Sequence, residues 1–343
     1  MNEQPAILLL NTGGTIGMMK DAGTGALKPV NFDNLFDLIP TLKLFNYTID
    51  HYCFDPLIDS SNMNPGSWAT IAGVIEKNYE LYDGFVVLHG SDTMAYTASA
   101  LSFMLHNLNK PVILTGSQLP LGMIRTDGRE NLLTAIEIAA AREEDTPVVP
   151  EVCIYFENQL FRGNRTHKFN AQNFQAFRSF NYPPLANAGV QLEYNRSAIR
   201  KPNFRKLKIF DRLDTNVAIL KLFPGISKQY VEAVINIPGL KAVILETYGS
   251  GNAPNDPWFI ELLKGVIKKG LLILNITQCQ VGTVEMGKYE TSMTLREIGV
   301  ISGYDMTTEA AVTKLMHLFG NSESVENVRN MIGKSIAGEI TEA

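Results

Sequence analysis

Apolar residues gather in short continuous runs at 6–11, 85–89, 111–115, 152–156, 217–222, 242–245 and 271–276. The runs are rich in Val, Ile and Leu and show no alternation with polar positions. That pattern predicts strands of a parallel sheet buried on both faces. Stretches of helical periodicity lie between them, from 65 to about 82 and at 93–106, 128–142, 227–236, 256–268 and 307–319. Asn64 followed by Pro65 supplies an N-cap and a proline for the first helical position. The stretch 93–106 is apolar nearly all round and predicts a buried helix.

Strand–helix alternation of this kind predicts an α/β fold with a doubly wound, mostly parallel sheet flanked by helices. A chain of 343 residues is long for one core, and two α/β domains are expected. The pattern breaks over 182–214, where Pro183, Pro184 and Pro202 interrupt it and charge rises. This places a larger N-terminal domain at 1–190, a linker at 191–212 and a smaller C-terminal domain with its own parallel sheet at 213–343.

Charge narrows the function classes. The net charge is −5, and no Lys/Arg cluster is interleaved with aromatics, which argues against a nucleic-acid partner. The basic residues from Arg200 to Lys208 fall in the expected linker and read as a solvated connector. The opening MNEQPAILLLNTGG lacks a basic n-region, and no apolar run reaches the length of a membrane span. Cys53, Cys153 and Cys279 are few and scattered, as expected for a reducing compartment without a disulfide framework. The five histidines show no H-E-x-x-H spacing and no two cysteines lie close, so neither a metal nor another cofactor is expected.

Three segments after predicted strands carry the candidate chemistry, because ligands of open parallel sheets bind beyond the carboxyl ends of the strands. In Asn11-Thr12-Gly13-Gly14-Thr15-Ile16-Gly17 two glycines permit close backbone approach, and Thr15 follows them. Taken alone, these residues read more readily as a plain turn with a self-bonded threonine. His89-Gly90-Ser91-Asp92-Thr93 sets a hydroxyl beside a carboxylate at a helix start: a simple N-cap, or a site where Asp92 takes an ammonium and Ser91 handles a proton. Arg162-Gly163-Asn164-Arg165-Thr166-His167-Lys168 follows the strand at 152–156. Lys168 is a solvated surface lysine, or a general base if its environment lowers its proton affinity. A fourth cluster, Asp59-Ser60-Ser61-Asn62-Met63, caps a helix or holds a carboxylate.

Together these segments resemble the bacterial-type L-asparaginases, in the cytoplasmic type I branch, over nearly the whole chain. The TGGTI signature is met as Thr12-Gly13-Gly14-Thr15-Ile16 and the HGxDT signature as His89-Gly90-Ser91-Asp92-Thr93. Further matches are Thr115-Gly116-Ser117-Gln118, Tyr248-Gly249-Ser250-Gly251-Asn252-Ala253-Pro254 and Thr277-Gln278-Cys279. The resemblance implies hydrolysis of L-asparagine to L-aspartate and ammonia. It implies Thr15 as nucleophile, with Ser91, Asp92 and Lys168 as catalytic partners. It implies that Asp59, Ser60, Ser61, Ser91 and Asp92 bind substrate, and that Asn252 reaches a neighbouring subunit's site in a homodimer or a dimer of dimers.

Three positions depart from the family pattern. Ser91 stands where the family has threonine, a loss of one methyl worth about 0.8 kcal/mol if buried. The loop 20–28 has no tyrosine, although its two glycines, Gly23 and Gly25, suit a mobile lid. Glu246 stands where cooperative type I members carry an arginine, which argues against a regulatory asparagine site near Cys279. A broader glutaminase-asparaginase, an ammonia-producing amidotransferase subunit and a catalytically inert amino-acid sensor remain as alternatives at this point.

Overall fold

The computed structural model of the protein describes residues 4–20, 23, 25, 27–287, 290–322 and 324–342. The lid expected over 20–28 falls in part outside the described residues. Its neck is a short antiparallel pairing of Met18–Lys20 with Leu27–Pro29.

The chain divides into two compact units, the first formed by residues 1–179 and 183–211. Its parallel strands are β1 (Ala6–Asn11), β2 (Thr48–Cys53), β3 (Gly84–Leu88), β4 (Val112–Thr115) and β5 (Val152–Phe156). Three antiparallel strands continue the sheet: β6 (Gln159–Arg162), β7 (Ala186–Ala188) and β8 (Leu192–Tyr194). The sheet order is β8-β7-β6-β5-β4-β3-β1-β2. Its helices are α1 (Pro65–Asn78), α2 (Met94–Met104) and α3 (Gly128–Ala140).

The physical basis of the central predicted elements survives, whereas the strand expected at 217–222 is only partly buried. β3, β4 and β5 are buried at every position, as continuous apolar runs require. Asn64 caps α1, its side-chain oxygen accepting the Ser67 N–H at 3.2 Å. α2 is buried almost throughout. Among the parallel strands the spatial order is 2-1-3-4-5. The chain leaves β1 for β2 on one side and returns past it to β3 on the other. The loops after β1 and β3 therefore diverge at the carboxyl ends and open a crevice there.

One expectation is corrected. The segment leading to Lys168 does not leave the carboxyl end of β5 directly. Glu157 (φ 45°) and Asn158 (φ 67°) form a two-residue turn with both φ positive, the geometry that suits the strand twist of a hairpin. β6 then runs back, so that Arg162 lies opposite Cys153 near the start of β5. A buried ion pair holds the far end: Arg162 Nε donates to Glu151 Oε2 at 2.7 Å, and Arg162 Nη2 donates to Ala198 O at 2.9 Å. From there the chain passes α2, where a Cβ on Gly163 would fall 2.9 Å from the Ala98 Cβ. His167 and Lys168 pair with Arg178 and Phe177.

The second unit comprises residues 180–182 and 212–343. It holds a parallel sheet in the order β9 (Val217–Lys221), β10 (Ala242–Thr247), β11 (Leu272–Thr277), β12 (Ile301–Ser302). Its helices are α4 (Lys228–Ile235), α5 (Pro257–Lys268), α6 (Glu290–Glu297), α7 (Thr308–Asn321) and α8 (Val325–Ile332). Leu220, Val231, Val243, Leu245, Phe259, Leu263 and Ile273 lie in its core. The last residues are fastened to it. The fully buried ammonium of Lys314 donates to Glu339 Oε1 at 2.5 Å, Ile332 O at 2.7 Å and Lys334 O at 2.5 Å. Glu339 in turn accepts the Ala337 N–H at 2.8 Å, and Asp305 accepts the Thr341 N–H at 3.0 Å. Among the described residues, no helix is long and apolar enough to cross a membrane.

Candidate active site

Three loops meet backbone to backbone where β1 and β3 diverge. Gly13 and Gly14 end β1 with φ of 127° and 88°, a region that L side chains rarely adopt. A Cβ on Gly13 would fall 2.3 Å from Ile58 O, and one on Gly14 would fall 2.4 Å from Gly90 N. A Cβ on Gly90 would fall 2.4 Å from Ser60 Oγ. A Cβ at Gly13 or Gly14 would run into backbone, and one at Gly90 into the Ser60 side chain, so the loops carrying Thr15, Ser60 and Ser91 pack closely together. Thr15 begins a single tight helical turn directly after Gly14, and it is half-buried.

The Ser60 loop is built by its own hydrogen bonds. Thr93 Oγ1 donates to Ser60 O at 2.6 Å, tying it to the loop after β3. Asp59 Oδ1 accepts both the N–H and the hydroxyl of Ser61 at 2.9 Å. Those two bonds, the backbone one foremost, hold the Asp59 carboxyl below the usual carboxylate range. Asp59 is thereby an orienter of Ser61, whose hydroxyl stands exposed at the crevice rim.

Lys168 completes the cluster. Its Nζ donates to Ser91 Oγ at 2.9 Å and to Asp92 Oδ1 at 2.6 Å. The lysine side chain is 17% exposed and the aspartate 67%. An exposed ion pair is worth less than about 1 kcal/mol of stability. The arrangement therefore adds little cohesion; it brings a hydroxyl, an amine and a carboxylate within hydrogen-bond distance directly after Gly90.

Beneath the cluster lies a buried column that sequence reading missed. His89 Nδ1 meets Gly90 O at 2.6 Å, and Thr97 Oγ1 meets His89 Nε2 at 2.9 Å. Trp68 Nε1 donates to Thr97 Oγ1 at 2.9 Å. Burial pushes the His89 imidazole down to about 4, so it is neutral at ordinary pH. Nothing in the spacing of positions 68, 89 and 97 marks them as partners, because they stand on separate elements. A second support was equally hidden. Asp127 accepts the Gln118 N–H at 2.9 Å, and Asn131 Nδ2 donates to Gly116 O at 2.9 Å.

Of the residues singled out from sequence, Thr15, Asp59, Ser60, Ser61, Ser91, Asp92 and Lys168 all belong to the first unit. Asn252 belongs to the second, in the turn after β10, where Tyr248 and Asn252 exchange backbone hydrogen bonds at 2.8 and 2.9 Å. Among the described residues, no group of three or more His, Cys, Asp or Glu side chains could hold a metal ion.

Comparison with known proteins follows the same two units. The family model for "Asparaginase, N-terminal" matches residues 6–200, and that for "Glutaminase/Asparaginase C-terminal domain" matches 216–332. The chain is 41% identical to L-asparaginase 1 of Escherichia coli (strain K12), covering 99% of both chains. It is 40% identical to the 60 kDa lysophospholipase of Mus musculus, covering 99% of this chain and 63% of that protein. The crystal structure of L-asparaginase I from Vibrio cholerae O1 biovar eltor matches with a TM-score of 0.89 at 40% identity, covering 99% of this chain and 100% of that one. With this sheet order and both halves matched, the chain belongs to the asparaginase family of amidohydrolases.

Proposed function

We propose that the protein is an L-asparaginase that hydrolyses L-asparagine through a β-aspartyl ester on Thr15. The observation that carries this reading is the double hydrogen bond of Lys168 to Ser91 and Asp92, next to the loop that carries Thr15. A threonine hydroxyl is unreactive at neutral pH unless a base lies close. Lys168, Ser91 and Asp92 form the chain that receives its proton.

Thr15 Oγ attacks the side-chain amide carbon as its proton passes into that chain. The C–N bond then breaks, the nitrogen takes a proton back, and ammonia leaves. Water adds to the ester, the Thr15 Oγ–carbon bond breaks, and L-aspartate is released. Backbone amides of the Gly90–Ser91 segment face the developing oxyanion, each such donor being worth about 3 kcal/mol. Asp92 takes the α-ammonium, while Ser60 and Ser61 take the α-carboxylate. The two charged ends of the substrate set its side-chain amide against Thr15. A zwitterion of this size suits the polar rim.

We further infer a homodimer, or a pair of dimers, in which Asn252 closes the neighbouring site, working in the cytoplasm without a cofactor. Thr15→Ala tests the nucleophile: the purified variant folds as wild type and releases no ammonia from asparagine. Release near the wild-type rate removes Thr15 from the reaction. Glutamine run beside asparagine, and sedimentation of the wild type, check specificity and assembly.

A further inference from the structure

The buried column behind the Ser91 loop has a direction. Gly90 O can only accept, so His89 Nδ1 carries the proton of a neutral ring. His89 Nε2 is then a bare acceptor, and the Thr97 hydroxyl donates to it. Thr97 Oγ1 in turn accepts the Trp68 indole N–H. Donation runs one way, from Trp68 to Thr97 to His89 to the Gly90 carbonyl. All three side chains are buried, with Thr97 fully so. The column thus crosses from α1 through α2 to the end of β3 without a solvent-exposed link.

The last bond fixes a peptide plane. In the trans peptide between Gly90 and Ser91 the C=O and N–H point in opposite directions. With Gly90 O held against the buried imidazole, the Ser91 N–H points away from it. Among the described residues, no acceptor takes that N–H. Gly14 packs against the preceding peptide, where its Cβ would fall 2.4 Å from Gly90 N and 2.9 Å from the His89 carbonyl carbon, so Gly90 itself has little room to shift.

We propose that Thr97, acting through the tautomer of His89, is a positioning residue that aims the Ser91 N–H at the oxyanion of the amidohydrolase reaction. Neither side chain touches substrate. This assignment rests on the asparaginase reading of the site. The consequence is a loss in kcat and not in ground-state binding, because the groups proposed to hold the substrate's charged ends stay in place.

Thr97→Val keeps the shape and removes the hydroxyl; Thr97→Ser keeps the hydroxyl. The expected result is a kcat lowered about tenfold or more in Thr97→Val, with KM within about threefold of wild type. Thr97→Ser restores kcat to near the wild-type value. A folded Thr97→Val enzyme with wild-type kcat, or one losing only in KM, overturns the proposal. So does a Thr97→Ser enzyme as impaired as Thr97→Val. Nitrogen-15 spectra of the histidine-labelled wild type, assigned against His89→Gln, read the tautomer without any turnover. Nδ1–H is expected at His89, and Nε2–H would sink the relay whatever the substrate. A wild type that releases no ammonia from asparagine, yet shows the Nδ1–H tautomer, overturns the proposed function and leaves the relay standing.

Discussion

Gly14 and Gly90 meet so closely that a methyl group on the first would lie 2.4 Å from the amide nitrogen of the second. The contact joins the ends of β1 and β3 at the point where the chain changes direction across the sheet. Gly14 also has φ of 88°, where alanine brings about 1–3 kcal/mol of strain before any clash is counted. A shift of about 1 Å between catalytic groups typically costs around a hundredfold in rate. Gly14→Ala and Gly90→Ala are therefore expected to lower kcat/KM by about a hundredfold or more while far-ultraviolet circular dichroism stays native. A steady-state ammonia assay on each purified variant makes the check.

Lys168→Met separates chemistry from cohesion. The exposed partner Asp92 limits the stability of the pair to less than about 1 kcal/mol, so the melting temperature is expected to hold. Loss of a proton-transfer group costs about a hundred- to ten-thousandfold in kcat. An unchanged kcat would remove Lys168 from the scheme.

Glu151→Gln is expected to behave oppositely. Glu151 and Arg162 are only 3% and 6% exposed, and the Arg200 N–H also donates to Glu151 at 2.5 Å. Stripping the charge leaves a buried guanidinium without its counter-ion, a loss of roughly 3–5 kcal/mol. Urea unfolding midpoints of this variant and of Lys168→Met, measured side by side, should differ sharply.

Much of this framework was readable in the order of residues, for identifiable reasons. Continuous apolar runs marked β1, β3, β4, β5, β10 and β11 because burial on both faces leaves little room for polar positions, and β9 although it is only partly buried; the two-residue β12 left no such run. β2 escaped notice because Thr-Ile-Asp-His-Tyr-Cys forms an exposed edge strand with little apolar signal. The hairpin of β5 and β6 escaped because Glu157-Asn158 is not one of the glycine-bearing pairs that announce such a turn. Motif residues singled out Thr15, Ser91, Asp92 and Lys168, the last three of which meet in the structure, whereas the column of Trp68, Thr97 and His89 exists only once three elements have packed.

His89 carries a pH dependence of stability. Its proton affinity in the folded protein, at about 4, lies below the ordinary histidine value of 6.5. The unfolded chain therefore binds the extra proton first as pH falls. The stabilisation is complete above about pH 6.5 and is lost progressively down to pH 4, amounting to roughly 3 kcal/mol. Unfolding midpoints at pH 7 and pH 4.5 should therefore fall further apart in wild type than in His89→Gln.

Glu246 predicts the shape of the saturation curve. Thr308 Oγ1 donates to its carboxylate at 2.9 Å, and Lys221 Nζ stands 3.7 Å away. A second asparagine arriving there would bring its α-carboxylate against a like charge. The velocity of the wild type is expected to rise hyperbolically with asparagine concentration, with a Hill coefficient near one. A sigmoid curve would contradict this.

The final stretch of chain, clasped by Lys314, Glu339 and Asp305, is a fastening and no loose overhang. Trimming it ahead of position 339 would strand a cation in the interior of the second unit. Anyone appending a purification tag, or choosing where an expressed fragment should stop, should treat that end as part of the core and place additions after it.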